Sequence, residues 1–221
     1  MLGRLAIILL LPWTLASAQT TTCADGPYVI RATAAADARA ICQGAVAARR
    51  FLARQDIVSA RRLRIDVVDR LTASDQVHAL ANYDPAHDRI EILSLHACRE
   101  HPAGQTLFGE PLGPELYLSL AAHEMAHAIA ADRFRVSPPA RVAHEYLAYT
   151  TQLAVLPPAL RARVLGRYRQ PAFEDLSAMS ETLLALDPAV FAVKAYRHFL
   201  ARGDGGRLPP ELFDMVRNGS P

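Results

Sequence analysis

The stretch Ser119–Ala130, SLAAHEMAHAIA, is small and apolar except for His123, Glu124 and His127. An ionised carboxylate in apolar surroundings costs far more than one helix can offset, so Glu124 requires a partner. The surroundings are apolar indeed: Leu116–Ala131 holds no Asp, Glu, Lys or Arg other than Glu124. Pro114 suits a helix start, and the pattern predicts a buried helix from Glu115 to about Phe134. On such a helix His123 and His127, four apart, share one face, and Glu124 sits one residue round from it. The pattern is H-E-x-x-H, two zinc ligands and a general base.

Catalytic zinc takes three protein ligands and keeps one position open. A third histidine spaced H-x-x-G-x-x-H is excluded, because position 130 is Ala and position 133 is Arg. The next predicted helix, Ala140–Leu156, offers Glu145 in RVAHEYLAYTTQ. From His127 to the end of the first helix is about 10 Å, and Glu145 lies about 8 Å into the second. If Arg135–Pro139 reverse the chain, Glu145 comes level with the two histidines. His144 is the rival ligand, pointing about 100° elsewhere. Tyr149 and Gln152 share the face of Glu145 and give it a polar stripe. Peptide hydrolysis also needs a donor for the developing oxyanion, and the candidates are Tyr149, His144, Tyr196 and His198. Tyr196 and His198, in FAVKAYRHFL, read more readily as packing on an amphipathic helix. His78, His87, His96 and His101 read as surface histidines.

HEMAH followed by a helix carrying Glu145 resembles the gluzincin zinc metallopeptidases, and the short chain is similar to their small single-domain members, the minigluzincins. The resemblance covers about Leu80–Leu156. It implies a zincin-like fold, zinc held by His123, His127 and Glu145, and Glu124 as the base that activates a water. It also implies a peptide substrate laid antiparallel along an edge strand, for which Arg89–Leu93 is the candidate by position. Tyr149 departs from the family pattern, standing where an acidic partner to the ligands is expected.

The remaining sequence sets the context. With 221 residues, 51% hydrophobic and 21% charged, the chain suits one globular domain, and a net charge of +2 leaves no nucleic-acid footprint. Met1–Ala18 reads as a secretory signal: Arg4, an apolar core Leu5–Leu15, then Ala16-Ser17-Ala18. The apolar run is too short to span a bilayer, so no membrane anchor is expected after cleavage. In an exported protein Cys23, Cys42 and Cys98 should form one disulfide and leave one thiol, with the pairing open. Strands are expected at Tyr28–Ala32, Leu63–Val68, Leu80–Tyr83 and Arg89–Leu93, a long helix at Ala36–Arg54, and irregular chain over Cys98–Gly113. Further helices fit Ala159–Tyr168, Ser177–Leu186, Ala189–Ala201 and Pro210–Val216, and Arg202–Arg207 reads as a turn. The expected organisation is a signal peptide (1–18) and one α+β domain (19–221). In that domain 19–113 carries the sheet, 114–156 the zinc-binding helix pair, and 157–221 a helical remainder. The expected function is an exported zinc metallopeptidase acting on a peptide or protein. The alternative is a zinc-stabilised binding protein without turnover.

Overall fold

The computed structural model describes residues 17–72, 79–134, 140–202 and 206–215. The expected leader, His78, the reversal at Arg135–Pro139, the centre of the Arg202–Arg207 turn and Val216 lie wholly or mostly outside them. The protein is α+β, as its sequence implies.

The strands are β1 (Gln19–Thr22), β2 (Tyr28–Ala32), β3 (Leu63–Val68), β4 (Ala81–Asp84) and β5 (Arg89–Leu93). They form one mixed sheet ordered β1-β2-β3-β5-β4. β2, β3 and β5 run parallel, while β1 and β4 pair antiparallel at the two edges. One face is apolar: Ile30, Ile65 and Ile90 are in register across three strands and fully buried. The other face carries Arg64, Asp66, Arg89 and Glu91, with Arg89 paired to Asp66 at 2.6 Å and to Glu91 at 2.5 Å. This alternation is the period-two pattern of a one-sided sheet.

Two expectations about the sheet need correction. Arg89–Leu93 is not the edge strand. The tight turn between β4 and β5 folds β4 back outside it, so the free edge is Ala81–Asp84. β1 went unread because Gln19–Thr22 is exposed throughout and has no apolar alternation.

On the apolar face lie α1 (Ala35–Ala53) and α3 (Pro114–Ala130), the latter buried on nearly every side. Before α3, the stretch expected to be irregular, Cys98–Gly113, starts inside a short helix, α2 (Leu95–Glu100), capped by Ser94, and contains a hairpin of β6 (Thr106–Leu107) and β7 (Glu110–Pro111). A 3₁₀ turn, Ala131–Arg133, ends α3 short of Phe134. Beyond it come α4 (Arg141–Ala154), α5 (Pro158–Arg167), α6 (Glu181–Leu186) and α7 (Pro188–Ala201). The single helix expected over Ser177–Leu186 is split, because Asp175 caps a 3₁₀ turn at Leu176–Ala178 and Ser180 caps α6 anew. The last expected helix is a 3₁₀ turn, Pro210–Asp214. Cys23 and Cys42 form the disulfide, tying the end of β1 to α1, and Cys98 is free and buried.

α1 and α3 approach closely where Gly44 of α1 lies against the Leu118 backbone and the Ala121 side chain of α3. A Cβ on Gly44 would stand 2.0 Å from the Leu118 carbonyl oxygen, so no side chain fits without separating the helices. Gly166, in α5, has nothing within 4 Å of where its Cβ would be. Gly44→Ala should therefore destabilise by about 1–3 kcal/mol, the range for overpacking a tight core. Gly166→Ala should stabilise by a few tenths to about 1 kcal/mol through helix propensity. Paired thermal melts check both, and Gly44→Ala melting at or above the parent would refute the close approach.

Candidate metal centre

α3 presents His123 and His127 one turn apart, and α4 packs against it with Glu145 opposite them. The Nε2 atoms of His123 and His127 are 3.2 Å apart. Glu145 Oε2 is 3.4 Å from His123 Nε2, and Glu145 Oε1 is 3.8 Å from His127 Nε2. The three side chains form a group able to hold a metal ion, the one such group among the described residues. The donor set fits: a tetrahedral ion with bonds of roughly 2.0–2.2 Å has ligand–ligand edges of roughly 3.3–3.6 Å, close to the separations found.

The orientation of His123 is fixed from behind. Its Nδ1 is 3.0 Å from Gln152 Oε1. Gln152 Nε2 donates to Ser119 Oγ at 3.2 Å, and that hydroxyl donates to the Leu116 carbonyl at 2.7 Å. The chain runs in one direction, so Nδ1 carries a proton and Nε2 faces His127 and Glu145, sharing a proton with the carboxylate in the metal-free site and free to give its lone pair to an ion once that proton is lost. Gln152 thus supplies the orienting acceptor that Tyr149 lacks. The sequence carried a signal for it: Ser119 precedes His123 by one turn, and Gln152 shares the face of Glu145.

The charges divide unevenly. Burial works to raise Glu145, but the hydrogen bond from His123 and the charges of both histidines outweigh it and hold the carboxyl near 2. Burial likewise acts to lower His123, and the bond and charge of Glu145 reverse it upward. His127, which makes no hydrogen bond to the carboxylate, follows burial down to about 3 and is neutral at neutral pH. Glu124, 8% exposed, is pushed up to about 7, chiefly by burial.

The Tyr83 backbone N–H on β4 is turned toward Glu124 and acts, against burial, to hold its carboxyl down. Strand register explains that orientation. The Leu93 N–H donates to the Leu80 carbonyl at 2.9 Å, which makes 82/91 and 84/89 the hydrogen-bonded pairs and turns the N–H and C=O of Ala81 and Tyr83 out of the sheet edge. The free edge therefore faces the helix that carries Glu124.

Of the remaining candidates, Tyr149 sits at the site, its ring centroid 4.6 Å from that of His123. Burial and the charges of Glu145 and Glu124 push its phenol up, so it remains a donor at neutral pH. His144 stacks on Phe134 at 3.9 Å, with its ring 5.9 Å from that of His127. The contacts of Tyr196 are with Phe199 and Arg161, and His198 Nδ1 is 2.8 Å from the Tyr146 hydroxyl. His87 pairs with Asp84, His96 with Glu100, and His101 caps a turn through the Ala103 N–H.

Fold and site together define an α+β protein with a two-histidine, one-carboxylate group suited to a metal ion. A model of the family of unknown function DUF6639 matches residues 28–215, and the chain belongs to that family. No curated protein and no solved structure matches it.

Glu124 gives a pH test. Its pKa in the fold, about 7, lies above its ordinary 4.5, so its charge opposes folding fully above pH 7 and not at all below pH 4.5. Metal-free Glu124→Gln should melt several degrees above the parent at pH 8, with the gain gone by pH 4. Equal melting temperatures at pH 8 would contradict the buried charge.

Proposed function

We propose that the protein is an exported zinc metallopeptidase with a zincin-like fold and a gluzincin-type ligand set. The observation that carries this reading is the ring of His123, His127 and Glu145 donors beside Glu124, with an open sheet edge alongside. His123, His127 and Glu145 would hold the ion. Zinc in such a site supplies Lewis acidity and lowers the pKa of a water.

The chain's own residues do the rest. Ala81 offers its outward N–H and C=O to the backbone of an extended peptide laid along β4, the corrected position of the substrate strand. Glu124, with a pKa near 7, is suited to take a proton from the attacking water and pass it to the leaving amine at neutral pH. Tyr149, adjacent to His123 and without a hydrogen bond to a described residue, is placed to donate to the oxyanion. The Cys23–Cys42 bridge favours an oxidising compartment, in keeping with the leader. No helix among the described residues is long and apolar enough to cross a membrane.

Three variants test the reading. Glu124→Gln should keep one zinc per chain and lose peptide hydrolysis by at least about a hundredfold, the usual weight of a general base. A variant cleaving a peptide library at the parent rate would sink the mechanism. Zinc bound without any turnover in the parent would make the chain a zinc-stabilised binding protein instead. Glu145→Ala should lose zinc in metal analysis and, with it, the rise in melting temperature that zinc confers. His144→Ala should retain the metal, and the reverse ranking would overturn the gluzincin ligand set.

A further inference from the structure

Arg61, in the connection between α1 and β3, binds three separate elements at once. Its Nη1 is 2.6 Å from Asp88 Oδ1 in the β4–β5 turn and 3.3 Å from the Tyr83 hydroxyl on β4. Its Nε and Nη2 grip both oxygens of Asp132, at 3.0 and 2.5 Å, in the 3₁₀ turn that ends α3. Tyr83 closes the network by donating to the same Asp88 oxygen at 2.9 Å. Asp88 is held in the left-handed region, φ 46°, a conformation that aspartate tolerates better than most residues.

Singly, ion pairs this exposed contribute little to stability. Their geometric effect is another matter. A guanidinium forked onto one carboxylate has a fixed plane and direction, which an ammonium lacks. Arg61 therefore sets the distance between the tip of the β4–β5 hairpin and the end of α3. Along the same face of α3 runs the gap between β4 and the helix, where the outward Tyr83 N–H faces Glu124. The residue that faces this gap through its backbone is the one that Arg61 touches through its side chain.

We infer that Arg61 is a positioning residue that sets the gap between the free edge strand β4 and the Glu124 helix. Its consequence for turnover rests on the hydrolytic reading above, but its effect on the gap does not. The test uses the full chain loaded with zinc, as Arg61→Ala, Arg61→Lys and Asp132→Asn, with zinc content, melting temperature and amide exchange at Tyr83 measured in each. Glu124→Ala identifies the exchange that follows loss of the facing carboxylate itself. In Arg61→Ala, Tyr83 exchange should quicken by about tenfold or more, the range of local opening rather than global unfolding, with zinc content unchanged and melting shifted by a few degrees at most. Lysine, able to hold Asp88 but not to fork onto Asp132, should fall between alanine and the parent, and Asp132→Asn should resemble it. On a peptide substrate, kcat should drop about tenfold while KM stays within about twofold, the signature of a misplaced base.

Unaltered Tyr83 exchange in Arg61→Ala overturns the inference whatever the activity. Faster exchange with unaltered kcat overturns the positioning role. A parent that binds zinc and cleaves nothing removes the hydrolytic reading, and the exchange measurement then decides the clamp alone.

Discussion

The half-buried contact between Glu145 and the two histidines of α3 is the constraint around which the helical half is arranged. A carboxylate at this depth has to meet positive charge or hydrogen-bond donors. Glu145 can do so only if α4 packs along α3 at one height, with His123 and His127 facing it. That height in turn brings Gln152 to His123 and Tyr149 against the same imidazole. α7 then packs on the far side of α4 and is sealed there by contacts such as Tyr146 with His198. A shift of one residue in the α3–α4 register would leave a charged group without a partner and undo each of these contacts together.

Much of this was legible from residue order. Glu124 is the sole carboxylate in a long apolar run, so its helix announced its burial. Glu145 was legible because helix rise is constant, and counting residues either side of a reversal places it beside His127. The sheet edge was not legible. β4 and β5 are both short and similarly patterned, and which lies outside depends on whether β5 pairs with β3, a contact across some twenty-five residues that no local pattern encodes. Arg61 was invisible for a related reason: a lone arginine in a loop signals nothing until Asp88, Tyr83 and Asp132 converge on it from three elements. Tyr196 and His198 sit at helical spacing that suits packing and catalysis alike, and only their partners on neighbouring helices distinguish the two.

The sheet and the helices meet with different tolerances. On the sheet's inner face, isoleucines in register fill the space, and interchange among aliphatic residues is absorbed by repacking. Between α1 and α3 there is no such slack, because Gly44 lies against backbone. The rigid seam supports the helix that carries His123, Glu124 and His127. The more forgiving layer lies beneath, where a few tenths of an ångström do not alter the arrangement of the donors.

The third cysteine bears on how the chain survives oxidation. Cys98 has no exposure, and burial raises its thiol to about 12, so at neutral pH the folded protein holds almost no thiolate there. Thiol–disulfide exchange proceeds through the thiolate. Once the core has closed over Cys98, the Cys23–Cys42 bridge is isolated from the one internal nucleophile that would scramble it. Mispairing is confined to the interval before α1 and α3 close over Cys98, and an oxidant arriving later meets a bridge already insulated from rearrangement.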